Sequence, residues 1–322
     1  MNFKINATDY ITPSCGADVS DALQKIIDEN PNRTIYFPDG EYIISKPICT
    51  PADPTKSVSL RLDDFAVIRA SEDWSCDEAM VRLGGKDAAN NITTPGSNYG
   101  IEGGIIDCRG VAKGISIDSG RETYIRNLSI KSSVVGIHIK HGANWGSSDA
   151  DVFGVNITGN GTRDALGLLV EGLDNSFTNM RIGRVFTGVE LRGGGNILRN
   201  VHPLYNICPE SYPYYDESVG FRMVKGLTNW FDNCYSDQFA TGFVTQNGGG
   251  YYTNCYSFWY SGKENRHVAF ESTEPFAGRI NGFTVAGQNP TSGKKKFSEG
   301  LKLSENCSVS GITVDGELVK EF

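Results

Sequence analysis

One pattern limits this chain more than any other: a small residue followed by alternating apolar positions recurs along most of its 322 residues. It appears at Gly114 (GISID), Gly136 (GIHIK), Gly167 (GLLVE), Gly188 (GVELR), Gly220 (GFRMV), Gly242 (GFVTQ) and Gly300 (GLKLS). Successive gaps as far as Gly242 are 22, 31, 21, 32 and 22 residues. A second short run accompanies these, opening on Asn or Gly at Asn127, Gly154, Asn179, Asn200, Asn233, Asn254, Gly282 and Gly311. Within each run the apolar side chains alternate, which is the period of a half-buried strand and not of a helix. A unit of 21 to 22 residues with two short strands is too short for a propeller blade and lacks the leucine pattern of a horseshoe repeat. It fits one coil of a parallel β-helix, in which equivalent residues of successive coils stack about 4.8 Å apart. The duplicated NCYS then sets Cys234 against Cys255, read as a stacked pair of thiols and not a disulfide.

The N-terminal region suits a plug for the open end of such a solenoid. Asp18 is placed to cap a helix whose Val19, Ala22, Leu23, Ile26 and Ile27 share one face, and Asp21 favours its positive end. A strand, turn and strand follow in IYFPDGEYIIS, residues 35 to 45. This helix and motif, with Gly- and Asn-punctuated coils behind them, resemble the pectate-lyase-like superfamily. The resemblance implies an all-β fold, a single-stranded right-handed parallel β-helix with an N-terminal capping α-helix. It implies one domain over 1–322: cap and first coil in 1–50, irregular early coils in 51–99, regular coils in 100–322. Members of the superfamily include polysaccharide lyases, glycoside hydrolases, transferases, epimerases and phage tailspikes, so the fold points to carbohydrate without fixing the chemistry. The paired-Asp and Gly-His-Gly motifs of polygalacturonases and the calcium-binding Asp cluster of pectate lyases are absent, so no catalytic residue carries over.

Composition excludes other classes. A formal charge of −8 leaves no surplus of cations for nucleic acid or an anionic membrane. With 39% hydrophobic residues the chain has ample apolar surface to fold. No segment reaches the apolar length of a membrane span and no signal core follows the first lysine, so a cytoplasmic location is expected for the chain as it stands, and secretion if it is truncated. The eight cysteines form no zinc-type pairs. No cofactor is expected, with a divalent cation such as calcium left open.

The register of the repeat says which side chains face outward. Two residues after the Asn or Gly come Ser129, Asn156, Arg181, His202, Tyr235, Tyr256, Thr284 and Thr313. Arg181, His202, Tyr235 and Tyr256 unite a cation, an imidazole and aromatic faces, the groups that hold sugars. The second strand presents Ser116, His138, Leu169, Glu190, Arg222 and Val244, flanked by charges of alternating sign such as Asp118, Lys140, Glu171 and Arg192. These read equally as cross-strand ion pairs.

Long insertions leave one corner of the solenoid and stand beside minimal coils, an arrangement expected to make clefts. They carry Arg163 and Asp164; Tyr205, Tyr212, Tyr214, Tyr215, Asp216 and Glu217; Trp259, Tyr260, Glu264, Arg266 and His267; and Lys294, Lys295 and Lys296. Arg181, Arg184 and Glu190 are expected on one cleft floor, and Tyr235, Asp237 and Gln238 on the other. Glycoside hydrolysis needs two carboxyl groups about 5 to 9 Å apart, and Asp237, Asp232, Glu190 and Asp216 are the candidates. β-Elimination on a uronic acid instead needs a cation and a base, for which Arg181 beside His202 or Tyr235 would serve. Tyr212, Tyr214, Tyr215, Tyr256, Trp259, Arg184, Gln238 and Asp216 are expected to bind substrate. The tyrosine-rich loop suits protein contacts as well, including those of a homotrimer. A hydrolase or transferase is the favoured reading, a lyase the second, and a non-catalytic tailspike-like solenoid the third.

Overall fold

A computed structural model of the chain describes residues 4–86, 100–141, 147–206, 211–224, 228–260, 266–287 and 295–319. The chain divides into two compact units, Met1–Asn160 with Glu171–Asn175, and Gly161–Val170 with Ser176–Phe322. Both are parallel β-helix coils.

In the first unit one inward row runs Ile35, Leu60, Ile101, Ile125 and Val152, each in register with the next. A second runs Tyr42, Ile68, Ile106, Ile130 and Ile157. On the other sheet Ile48, Val81, Ile115 and Ile137 align. All are buried, and each fully buried side chain of this size contributes about 1.5–3 kcal/mol. Strands Val58–Leu62, Ala66–Ala70 and Ala79–Lys86 lie in the stretch where the repeat is least legible. Its corner is a turn at Asp63, closed by the Ala66 amide on the Asp63 carbonyl at 3.0 Å, in place of a single Asn or Gly.

Helix α1 (Ser20–Glu29) buries Leu23, Ile26 and Ile27, with Val19 buried just before it, while Ala22 is exposed, contrary to expectation. Asp18 accepts from the Ser20 amide at 2.9 Å and the Ser45 hydroxyl at 2.6 Å, tying the helix start to the strand beside it. Gln24 pairs with both backbone groups of Cys49, at 2.8 and 3.0 Å, and so closes the unpaired edge of strand Ile48–Pro51.

In the second unit Phe177, Leu198, Phe231, Tyr252 and Ile280 form one inward row, and Leu168, Val189, Phe221, Phe243 and Phe270 form the row of the facing sheet. Phe221 stacks on Phe243 at 4.5 Å and Phe231 on Tyr252 at 4.7 Å. Hairpin strands Ser308–Val314 and Glu317–Leu318 cover the outer edge of this sheet.

The two small-residue positions of the repeat have different causes. Asn127, Asn179, Asn200, Asn233 and Asn254 have φ between 51° and 56°, and Gly154, Gly282 and Gly311 between 65° and 71°. This left-handed corner favours Gly and tolerates Asn. Asn also stacks: the Asn200 side-chain amide donates to the Asn179 side-chain carbonyl at 2.8 Å. The glycines of the second strand answer instead to crowding. A Cβ on Gly188 would stand 2.4 Å from the Gly220 carbonyl oxygen and 2.4 Å from Pro203 Cβ. Gly300 does not belong to this series. Lys295–Lys296 is the strand that pairs with His267–Val268, and Gly300 has open space around it and a φ of 76°.

Candidate active site

Strands Ser176–Gly183, Ile197–Leu204, Tyr235–Asp237 and Tyr251–Trp259 lie side by side in the second unit. Behind each left-handed corner the next residue is buried, so the one after it faces outward: Met180, Val201, Cys234 and Cys255 go in, and Arg181, His202, Tyr235 and Tyr256 come out. Register pairs Arg181 with His202 and Tyr235 with Tyr256. The His202 ring stacks on Tyr235 at 4.0 Å between centroids and 16° between planes, and Tyr256 follows at 4.8 Å. Cys234 and Cys255 are buried free thiols in neighbouring coils, as expected. Burial above all pushes the Cys255 thiol far above its ordinary range, which leaves it inert.

Asp237 completes the cluster. Its Oδ2 accepts from the Tyr235 hydroxyl at 3.1 Å and stands 3.4 Å from His202 Nε2. Among the described residues its Oδ1 has no hydrogen-bond partner, and the side chain is 15% exposed. Burial and then the Asp237 carboxylate hold the Tyr235 phenol above its ordinary range, so it remains a neutral donor. Arg181 is exposed and donates to the backbone carbonyls of Met180 and Asn200, at 3.1 and 3.5 Å.

The other expected carboxylates stand apart. The same-face neighbours of Asp237 in the adjacent coils are Leu204 and Phe258, and those of Asp232 are Arg199 and Thr253, so stacking brings no second carboxylate beside either. Asp232 is held by Arg199 at 3.1 Å and by Asn233 at 3.0 Å. Glu190 lies on strand Thr187–Leu191 of the facing sheet and not beside Arg181. It is buried between Arg192 at 2.6 Å and Arg222 at 3.2 Å, which makes it an ion-pair residue. Asp216 is exposed and accepts from the Arg266 amide at 3.2 Å. Arg184 and Gln238 occupy left-handed corners of the short coils, at φ 55° and 67°.

The described parts of two insertions, 203–206 with 211–219 and 258–260 with 266–267, lie down over the corner where clefts were expected. Tyr205 is buried and packs on Phe186, Tyr215 and Phe239. Tyr215 is buried too, its hydroxyl 3.2 Å from His267 Nδ1, and the Trp259 indole donates to the Phe239 carbonyl. Short coils leave apolar core uncovered, and these rings cover it. Tyr215 and Trp259 are therefore core residues and not substrate contacts. Tyr212 is half-buried, and Tyr214 is 43% exposed beneath the Arg163 guanidinium at 4.3 Å. Glu264 and Lys294 lie outside the described residues.

A second feature of the same sheet lies outside the ladders that the repeat register singles out. Ile197, Trp230 and Tyr251 stand in register, 41%, 39% and 38% exposed, and line a groove of about 380 Å³ with Arg199, Asp232 and Thr253. The Trp230 and Tyr251 rings are near-parallel, 14° between planes and 5.8 Å between centroids. The signal was present in the duplicated segments WFDNCYS and YYTNCYS, whose first residues stack as surely as their last. Among the described residues no group of three or more His, Cys, Asp or Glu is arranged to hold a metal ion.

No family model matches the chain. A curated relative, polygalacturonase QRT3 of Arabidopsis thaliana, is 25% identical over 281 residues, covering 73% of this chain and 51% of the relative. The chain thus spans about half the length of that protein. A tailspike protein of Escherichia coli bacteriophage HK620 matches with a TM-score of 0.69 at 12% identity, over 97% of this chain and 62% of the tailspike. An alginate lyase from Paenibacillus sp. FPU-7 matches with a TM-score of 0.58 at 13% identity, over 96% of this chain and 97% of the lyase. The fold is that of the right-handed parallel β-helix superfamily to which the sequence bears its resemblance.

Proposed function

We propose that the chain is a carbohydrate-active enzyme that holds an oligo- or polysaccharide along the outer face of the main sheet of its second unit and hydrolyses it at Asp237. One observation carries this reading: the Asp237 carboxylate shares one oxygen between Tyr235 and His202, whose rings stack on the outward row of the sheet. The row of His202, Tyr235 and Tyr256 beside it offers rings to the C–H faces of a sugar.

With no second carboxylate beside Asp237 among the described residues, the His202–Asp237 dyad takes a proton from a water whose oxygen attacks the anomeric carbon and returns a proton to the glycosidic oxygen as its bond to that carbon breaks. Tyr235, held as a neutral phenol, positions Asp237 and does not itself take a proton. The exposed guanidinium of Arg181 offers donors to oxygens of the bound glycan. The polygalacturonase relative supports carbohydrate as the substrate.

Elimination on a uronic acid is the second reading, favoured by the register that sets Arg181 beside His202, a cation next to a base. Incubation with a panel of plant and bacterial oligosaccharides separates the two. Hydrolysis yields new reducing ends without ultraviolet absorbance from an unsaturated uronide, and Asp237→Asn abolishes it. Unsaturated product would move the assignment to elimination, and silence in both readouts across the panel would overturn the enzyme reading.

A further inference from the structure

We infer that the groove between Trp230 and Tyr251 is a subsite for an uncharged pyranose unit of a glycan. The inference rests on the reading that a glycan lies along this face, and it adds the chemistry of one of its units.

The two rings are too far apart for full face-to-face contact, and both line the groove, so part of each remains open to a ligand. Directly beneath, Phe231 and Tyr252 are fully buried and stacked, and the alternation of each strand fixes Trp230 and Tyr251 above them. The platform is therefore set before any ligand arrives, which lowers the ordering cost of binding. Aromatic faces of this kind suit the C–H face of a pyranose.

Charge decides between kinds of ligand. The charged groups lining the groove are Arg199 and Asp232, and they pair with each other at 3.1 Å. Their fields cancel, so the groove attracts neither an acidic nor a basic chain. What it offers beside its rings is donors on Arg199, acceptors on Asp232 and the hydroxyl of Thr253, a set that matches the mixed donors and acceptors of sugar hydroxyls. Arg279, in register with Tyr251 one strand further on, stands outside the lining.

Along strand Tyr251–Trp259 the groove and Tyr256 are five residues apart, at most about 17 Å at roughly 3.3 Å per residue. A single oligosaccharide of several units spans that distance, so the subsite and the Asp237 cluster can engage one glycan.

The test is calorimetric titration of wild type, Trp230→Ala, Trp230→Phe and Asp237→Asn with cellohexaose, laminarihexaose, maltohexaose and hexagalacturonate. At least one neutral hexasaccharide is expected to bind wild type, at least tenfold more weakly to Trp230→Ala, and within about threefold of wild type to Trp230→Phe. Equal binding by wild type and Trp230→Ala, binding of hexagalacturonate alone, or no heat with any of the four overturns the inference. So does light scattering that shows a wild-type oligomer dissociated by Trp230→Ala, since the face would then meet a second copy of the chain. If Asp237→Asn abolishes activity while Trp230→Ala binds normally, the subsite falls and the active site stands. If Asp237→Asn remains active while Trp230→Ala loses binding, the reverse holds.

Discussion

The phenol of Tyr235 donates to Asp237 at 3.1 Å, two residues along the same short strand, and that bond aims the carboxylate toward His202 of the neighbouring coil. Asp237→Asn removes the proton-moving group with almost no change in shape. Activity on any substrate found should fall on the order of 10²–10⁴-fold, with the thermal midpoint little changed, as paired kinetics and melting curves would register.

Spectrophotometric titration at the phenolate band reads the same bond from the other partner. With its folded-state value raised above the ordinary 10.0, Tyr235 ionises later than an exposed tyrosine, and stability is lost as pH climbs past that value. Tyr235→Phe should delete one late-titrating group and lessen the alkaline loss of stability.

The glycine rows make a contrast within one coil. Gly188→Ala forces a Cβ against the Gly220 carbonyl and Pro203, and should destabilise by on the order of 1–3 kcal/mol or more. Gly183→Ala meets nothing nearer than Asn206 Nδ2 at 3.8 Å and should stay close to wild type. Urea denaturation of both variants measures the difference.

Which parts of this molecule were legible in its sequence follows from periodicity. Alternation with a two-residue period reported which side chains face outward, so Arg181, His202, Tyr235 and Tyr256 emerge on one face as expected. Corners built from Asn and Gly announced themselves because few other residues tolerate a positive φ. Insertions carry no such period. Whether Tyr215 and Trp259 rise into solvent or lie down over uncovered core is set by tertiary packing that no local pattern encodes. Glu190 and Arg181 lie in different sheets, a difference that alternation within each strand does not encode.

Trp259 supplies a direct check on that correction. Trp259→Ala should cost about 3–5 kcal/mol of stability, as large core truncations do. Trp259→Phe should lower the thermal midpoint while leaving the KM for any substrate unchanged, since the indole sits inside and donates to the Phe239 carbonyl.

In the first unit His138 governs an acid response. Burial lowers its imidazole below the ordinary 6.5 and outweighs the Glu171 carboxylate 3.0 Å from Nε2. The unfolded chain therefore takes up this proton first as pH falls through 6.5, and stability drops. Melting curves between pH 7 and pH 5 should show a smaller loss in His138→Gln than in wild type.

The most direct test of the central claim is a crystal of Asp237→Asn soaked with the oligosaccharide that wild type binds most tightly. Sugar density against Tyr235 and Tyr256, with a glycosidic oxygen within hydrogen-bond reach of residue 237, is the predicted result. Density confined to the sheet that carries Glu190 and Arg222, or to the first unit, would contradict it.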